Sequence, residues 1–245
     1  MPDMDFMSLT LPVVSILVMS AFARGMIGFG NALIAMPLLA LVVSVQIASP
    51  VVALANLTGI LVILVGHWRS VDVKAAWRLT LSSLIGIPIG LFFIKSANES
   101  LVRVLLGAML IAFGLYYLIA PRLPYLRGEG TSYAFGLASG VLGGAYNTNG
   151  PPIVIYGALR RWPPESFRAT LQGVFLPTNL MVIVGHALAG LATPTVLRLY
   201  AYSLPLMLPA TLLGMRLGRR IPEGQFSRLV YAFLVAMGAL LIARA

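Results

Sequence analysis

Two stretches of this chain interrupt long apolar runs with the same spacing of glycine and proline. Gly25–Pro37 and Gly140–Pro152 each have glycine at their first and fourth positions and proline twelve residues after the first glycine. Helix breakers are costly in apolar runs, because the backbone groups that they free need a partner. Two broken apolar segments at corresponding positions of two halves are typical of the binding site of a secondary transporter. The pattern therefore predicts a small membrane carrier.

The composition also indicates a membrane protein. Of 245 residues, 59% are hydrophobic and 10% charged, and the mean hydropathy is +0.94; a soluble domain carries roughly 25% charged residues. The windows 41–66, 172–194 and 226–242 have almost no charge and are long enough to cross a bilayer of about 30 Å as helices. We predict an all-α integral membrane protein with a single domain, 1–245, in the lipid bilayer.

Charge and residue types exclude several function classes. The net charge of +10 does not predict a nucleic-acid partner, because the basic residues lie in short loops between the apolar segments. The absence of cysteine excludes disulfides and thiolate metal ligands. The seven acidic residues are all terminal or in loops, and the chain lacks a Ser-His-Asp set and metal-ligand spacing. We therefore predict no metal, no cofactor and no enzyme activity.

The predicted helical segments fall into two sets of five. The first set is 9–24, 31–44, 46–66, 78–95 and 100–119, and the second is 131–143, 151–159, 169–190, 195–214 and 226–243. The order of breaks and spans, with Val65-Gly66-His67 echoed by Val184-Gly185-His186, predicts internal repeats over approximately 8–119 and 131–243.

The distribution of basic residues predicts the orientation. If each half starts with one plain crossing, giving eight helices with the N-terminus inside, seven basic residues lie inside and nine outside, which violates the positive-inside rule. If each break is a re-entrant hairpin and the N-terminus is outside, only Lys95, Arg103, Arg198 and Arg244 remain outside, and twelve lie inside: Arg69, Lys74, Arg78, Arg122, Arg127, Arg160, Arg161, Arg168, Arg216, Arg219, Arg220 and Arg228. Each half is then a hairpin plus three crossings, so the halves are inverted. Two short full crossings at each break remain the alternative.

The second break is the stronger candidate site. Its sequence predicts a loop followed by a helix start, since Asn is a good N-cap and Pro suits the first turn. The N-terminus of that helix would bind an anion without a charged side chain, and the amides and hydroxyls would add donors. A tight packing turn with satisfied caps is the alternative. The candidates are Asn147, Thr148, Asn149, Gly150 and Pro151, with Tyr146 and Tyr156 as secondary candidates.

The first break is predicted to face the second across the site. Gly28 and Gly30 permit backbone conformations closed to other residues and let a ligand approach, and Asn31 follows them. Arg24 is the only basic residue expected within a spanning segment, and its guanidinium matches a sulfonate or carboxylate in bidentate fashion. Alternatively, Arg24 reaches the interface or braces the hairpin through backbone carbonyls.

Several polar residues within the spans are further candidates. Gln172 is predicted as a ligand, and Asn56 and Asn179 are secondary candidates, although hydrogen bonding between helices is the common role of such amides. His67 and His186 occupy repeat-equivalent positions. Proton coupling is one interpretation of these histidines, and a helix-end position is the other.

Segments 25–37 and 143–156, together with Arg160-Arg161-Trp162, resemble the TauE/SafE sulfite exporter family over essentially the whole chain. The resemblance implies a multi-pass inner-membrane permease that exports sulfur-containing anions such as sulfite, sulfonates or sulfoacetate. A carrier of small carboxylates and an anion channel remain alternatives. The coupling ion (proton or sodium) is left open, and glycine- and alanine-rich faces are compatible with a homo-oligomer.

Overall fold

The computed structural model describes residues 3–96, 98–119, 126, 128, 130–218 and 223–243. Within these ranges the chain forms ten α-helices, a short 3₁₀ turn at Trp68–Ser70 and no strand, so the all-α prediction is confirmed. The helices are α1 Asp3–Ile27, α2 Asn31–Leu39, α3 Val45–His67, α4 Val73–Ser96, α5 Glu99–Ile119, α6 Thr131–Tyr146, α7 Gly150–Leu159, α8 Pro164–Leu188, α9 Pro194–Gly218 and α10 Glu223–Ala243.

Among the residues that the structure describes, five helices contain apolar windows long enough to cross a membrane. These windows are Leu9–Ile27, Val45–Val65, Val73–Phe93, Ser166–Leu188 and Pro194–Gly218, and α5, α7 and α10 contain shorter apolar stretches. Large apolar side chains point outward from them; Phe92, for example, is 73% exposed. Lipid tails are as apolar as these side chains, so such surfaces suit a bilayer. The protein is a multi-pass membrane protein.

The first break begins later than the sequence predicted. Helix α1 continues through Gly25 to Ile27, and Gly25 lies against the backbone of Thr211 and Gly214 in α9, where a Cβ would collide. The chain leaves the helix between Gly28 and Gly30, both with φ of +91°, a conformation that favours glycine. Gly25 therefore serves helix packing, and the prediction that helix 9–24 ends before it was wrong.

Helix α2 is also shorter than the predicted segment 31–44. It ends at Leu39, and the next residues form a turn in which the N–H of Val43 donates to the carbonyl of Leu39 at 2.8 Å. Ser44 is extended, with φ of −60° and ψ of 150°, and starts α3 at Val45. The nine residues of α2 span only about 14 Å, which is less than half of the hydrocarbon core.

The second break is a helical hairpin. Helix α7 folds back along α6: the rings of Phe135 and Tyr156 lie 5.6 Å apart, and the hydroxyl of Ser139 donates to the backbone oxygen of Asn149 at 2.7 Å. Asn147 forms the tip in a left-handed conformation, with φ of 55°. The ten residues of α7 are too few to cross the membrane. The structure therefore has a helical hairpin here, and its re-entrant insertion into the membrane stays a prediction.

The principal helix pairs join the first five helices to the last five. Helix α1 packs on α9, α4 on α6, α3 on α8, and α5 on α10. Glycines allow close approach in two of these pairs: Gly140 of α6 lies against the Ser83 backbone of α4, as Gly214 of α9 lies against the Phe22 backbone of α1. If each of the first five helices is exchanged with its counterpart among the last five (α1 with α6, and α4 with α9), the α1–α9 pair becomes the α6–α4 pair.

The two breaks are separated by 119 residues: Ile27 from Tyr146 at the helix ends, and Asn31 from Gly150 at the helix starts. The glycine and proline pattern recurs at an interval of 115 residues.

Five of the basic residues that were counted for the orientation lie outside the described residues: Arg122, Arg127, Arg219, Arg220 and Arg244. The repeats, their inversion and the external N-terminus stay predictions.

Candidate functional site

A small polar cavity lies where the two breaks meet. Its volume is about 20 Å³, enough for about one water molecule. Its walls come from both breaks and from α3 and α8: Arg24, Gly30, Asn31, Ala32, Leu33, Asn56, Ile60, Asn147, Thr148, Asn149, Gly150, Phe175 and Asn179.

Most of the candidate residues from the sequence meet at this cavity. Gln172 and Gly28 lie behind its wall, where Gln172 donates to the Gly28 carbonyl at 2.8 Å. Pro151 instead lines an apolar groove of about 450 Å³ between α5 and the α6–α7 hairpin. Tyr146 and Tyr156 do not line the cavity either. Tyr156 packs between Phe135 and Trp162, and the buried hydroxyl of Tyr146 has no hydrogen-bond partner.

Arg24 is held in the protein interior by side-chain amides. It is 3% exposed; Nη1 donates to Oδ1 of Asn56 at 3.1 Å, and Nη2 donates to Oε1 of Gln172 at 2.7 Å. Gly59 of α3 makes room for it, since a Cβ there would come within 2.7 Å of Cδ of Arg24. In this structure Arg24 thus donates to side-chain amides rather than to backbone carbonyls.

The charge of Arg24 has neutral partners. Arginine stays protonated in proteins, and both hydrogen-bond acceptors found for it are uncharged amides. The acidic residues in the described part of the chain lie at helix starts or between helices, as Asp72 and Glu99 do. An uncompensated charge inside a membrane is costly and marks a functional site. A bound anion would supply the missing negative charge through charge-assisted hydrogen bonds.

Asn147 pins the tip of the hairpin to α3. Its Nδ2 donates to the backbone oxygen of Ser49 at 2.7 Å and to the Ser49 hydroxyl at 2.8 Å. The same hydroxyl lies 3.2 Å from Nε2 of His186, which is buried on α8. Nearby, Nδ2 of Asn179 donates to the carbonyl of Ala53 at 2.9 Å. Sequence reasoning missed Ser49, because a single serine in an apolar helix gives no signal of its own.

The first turn of helix α2 has more backbone N–H groups than the first turn of α7. The first N–H groups of a helix have no acceptor within it, and in α2 they belong to Asn31, Ala32 and Leu33, which all line the cavity. In α7 the second and third positions are prolines, which lack an N–H.

Asn149 does not cap α7 as its sequence position suggests. It makes no side-chain cap hydrogen bond, and its Nδ2 donates to the hydroxyl of Thr178 at 3.1 Å. That the second break is the main anion-binding element stays a prediction, and the missing N–H groups of Pro151 and Pro152 count against it.

Apolar helices long enough to span a membrane surround a buried cationic cavity between two helix breaks, which is the arrangement of a multi-pass membrane protein with an internal polar site. The family model described as sulfite exporter TauE/SafE matches residues 13–241, and the chain belongs to this family. The resemblance found in the sequence is thus confirmed.

A relative named "Probable sulfite/organosulfonate exporter TauE", from Cupriavidus necator, is 28% identical over 202 residues, which cover 81% of this chain and 79% of the relative. No solved structure matches the chain.

Proposed function

We propose that this protein is a secondary transporter that exports small sulfur-containing anions, such as sulfite, sulfonates or sulfoacetate, across the inner membrane. The observation that carries the proposal is the buried Arg24, whose charge is held by the neutral amides of Asn56 and Gln172. The family and the name of the Cupriavidus necator relative supply the class of anion.

In this proposal, the anion replaces its water shell with donors from both breaks. Arg24 provides the charge, the first turn of α2 provides backbone N–H groups, and side chains of the second break provide neutral donors. The cavity of about 20 Å³ accepts about one water, so an anion of four or more heavy atoms enters only if the lining elements separate. The residues at the meeting point of the two breaks are therefore the ones that move when the site opens.

Alternating access follows if the two helix sets are inverted repeats. The matched order of the helices and the exchange of α1–α9 for α6–α4 support duplication. Inverted repeats let one element rock against the other about a fixed site, so that the site faces each side of the membrane in turn. Cross-linking the two hairpins on either membrane face would test this, because each cross-link should stop transport and leave the site accessible only from the opposite face.

The test of the site is anion flux in proteoliposomes that contain the purified protein. We expect saturable uptake of labelled sulfite in the wild type and a loss of at least about tenfold in Arg24→Gln, given the size of hydrogen bonds to charged groups. Arg69→Gln is the matched control, because Arg69 is exposed and stacks on Trp68 at 5.2 Å from the ring centroid. Equal flux in all three proteins would rule out the proposed site.

Two further functions use the same physics. If the protein carries small carboxylates, lactate should inhibit the uptake of labelled sulfite as strongly as methanesulfonate does. An anion channel predicts large unitary currents and no counterflow, whereas a carrier shows trans-stimulated exchange.

The coupling ion and the oligomeric state of the protein are two further properties that experiments can measure. Imposed proton and sodium gradients, applied separately, identify the coupling ion by the one that drives accumulation. Light scattering of the detergent-solubilised protein measures whether it is a monomer or a homo-oligomer, for which its glycine- and alanine-rich faces would serve as contacts.

A further inference from the structure

The hydrogen-bond network fixes the orientation of the amides around the cavity. A guanidinium only donates, so the atom of Asn56 that faces Arg24 is its oxygen. Asn31 approaches the same oxygen at 3.0 Å and must therefore present its nitrogen. The backbone oxygen of Ser49 only accepts, so Asn147 also presents its nitrogen there.

This arrangement leaves two amide oxygens without a partner. Oδ1 of Asn31 and Oδ1 of Asn147 are buried and unpartnered, as is Nε of Arg24. The three residues are 1%, 3% and 3% exposed, and all of them line the cavity. Unpaired polar atoms in a membrane interior are costly. A molecule that meets their needs must donate hydrogen bonds as well as accept them.

We propose that the form of substrate recognised here carries its own O–H group: a monoprotonated sulfur oxyanion, hydrogen sulfite, in preference to the sulfite dianion or a sulfonate. The inference rests on the proposed function and names the substrate form at that site. Hydrogen sulfite accepts from Arg24 and the first turn of α2, and its O–H donates to one of the unpartnered oxygens. The dianion and a sulfonate have acceptor oxygens only. The lone pairs of those oxygens would face the lone pairs of the unpartnered amide oxygens and repel them.

A metal cation is the other ligand that amide oxygens would favour. Arg24 lines the same cavity and carries a positive charge. A cation would meet that charge at close range in a medium of low dielectric constant, where like-charge repulsion is strong. The observations therefore favour a protonated anion over sodium.

Titrating residues of the protein must be separated from titration of the substrate. Those around the cavity are Arg24 on α1, Tyr146 next to Asn147 on α6, and Arg168 and His186 on α8; Arg168 packs over Gly28, and His186 reaches Asn147 through Ser49. The segments of α2, α3 and α7 that line the cavity contribute no titratable side chain. A substrate whose charge is constant across neutral pH supplies the control.

The experiment measures initial uptake of labelled sulfite and of labelled methanesulfonate by wild-type proteoliposomes, with equal pH on both sides, from mildly acidic to mildly basic conditions. We expect kcat/KM for total sulfite to fall as the hydrogen sulfite fraction falls, while the value for methanesulfonate stays constant and at least about tenfold lower. A value for sulfite that is constant or rises with pH overturns the inference. So does a fall that methanesulfonate shares, because a protein group then titrates.

A variant pair tests the oxygen itself. Asn31→Ala removes one unpartnered oxygen and is expected to narrow the ratio of sulfite to methanesulfonate transport by about tenfold. Asn179→Ala changes another amide on the same cavity and is expected to leave that ratio unchanged. If the Asn31 variant fails to fold, the pH series on the wild type still tests which form of the substrate is recognised. Saturable transport of neither anion would contradict the proposed function itself, whereas transport without the pH relation contradicts only the substrate form.

Discussion

The guanidinium of Arg24 and the side-chain amide of Gln172 are joined by a hydrogen bond of 2.7 Å although the residues are 148 positions apart in the chain. The same amide donates to the carbonyl of Gly28 at 2.8 Å. One side chain of α8 therefore contacts both the buried charge and the backbone of the first break. Because Gln172 is neutral, it orients Arg24 without cancelling the charge that an anion needs.

Gln172→Glu is predicted to abolish anion transport and largely preserve folding. The carboxylate would pair with Arg24 and compete with the substrate, lowering uptake by at least about tenfold. The lost bond to Gly28 costs about 1–3 kcal/mol, which the ion pair offsets in part. Sulfite uptake and thermal unfolding measure the two effects. Gln172→Ala is the comparison, with lower stability and weaker transport; uptake at the wild-type rate in Gln172→Glu would refute the assigned role of Arg24.

Gly30→Ala, compared with Gly128→Ala, is predicted to separate the effect of backbone strain on stability from the effect of Gly30 on transport. Gly30 and Gly128 have φ of 91° and 103°, so alanine costs about 1–2 kcal/mol at either position. Gly30 lines the cavity, whereas Gly128 is exposed, with nothing within 4 Å of an added Cβ. Thermal unfolding should show similar losses, and only Gly30→Ala should lower sulfite uptake. A transport defect in Gly128→Ala would show that strain alone explains the result.

Gly140→Ala is predicted to destabilise the α4–α6 pair. The added Cβ would collide with the backbone of Ser83, and such overpacking costs about 1–3 kcal/mol. Gly130 is the control, because its φ of −64° suits alanine and nothing lies within 4 Å of an added Cβ. Unfolding in a graded detergent or denaturant series should show a lower midpoint for Gly140→Ala alone. Equal midpoints for Gly140→Ala and the Gly130→Ala control would mean that α4 and α6 can move apart without loss of stability.

Ser49→Ala is predicted to loosen the hairpin tip. The change removes the hydroxyl shared by Asn147 and His186 and leaves their buried nitrogens with fewer partners, at a cost of about 1–3 kcal/mol. Ser203→Ala is the matched control: its buried hydroxyl donates only within α9, to Leu199 at 2.7 Å. Thermal unfolding distinguishes the two, and a Ser203 variant as unstable as the Ser49 variant would contradict the role of the shared hydroxyl.

Much of the fold could be predicted from hydrophobicity and helix breakers. The long apolar segments appeared as helices close to their predicted bounds, because a membrane leaves few alternatives to a helix. The exact start of the first break could not be predicted: Gly25 looks like a helix breaker in the sequence, yet it is a packing surface for Gly214, and only the neighbouring helix decides between these roles.

The candidate site was predictable where rare residues stand out in apolar surroundings. Arg24, Asn31 and Asn147 were found because polar groups are expensive there, and the structure brings all three to one cavity. The contribution of Ser49 and the space that Gly59 leaves for Arg24 depend on contacts between distant segments. The smaller donor role of α7 was readable in Pro151 and Pro152, whose missing N–H groups weigh against an anion site there.

The close packing of α1 on α9 and of α4 on α6 has a consequence for how the molecule is assembled. Each tight pair takes one helix from residues 1–119 and one from residues 131–243, so neither half can complete its own packing without the other. The packed helix pairs of this membrane protein are therefore mixed from both halves, and a chain cut between residues 119 and 131 should regain a working transporter only when the two fragments are made together.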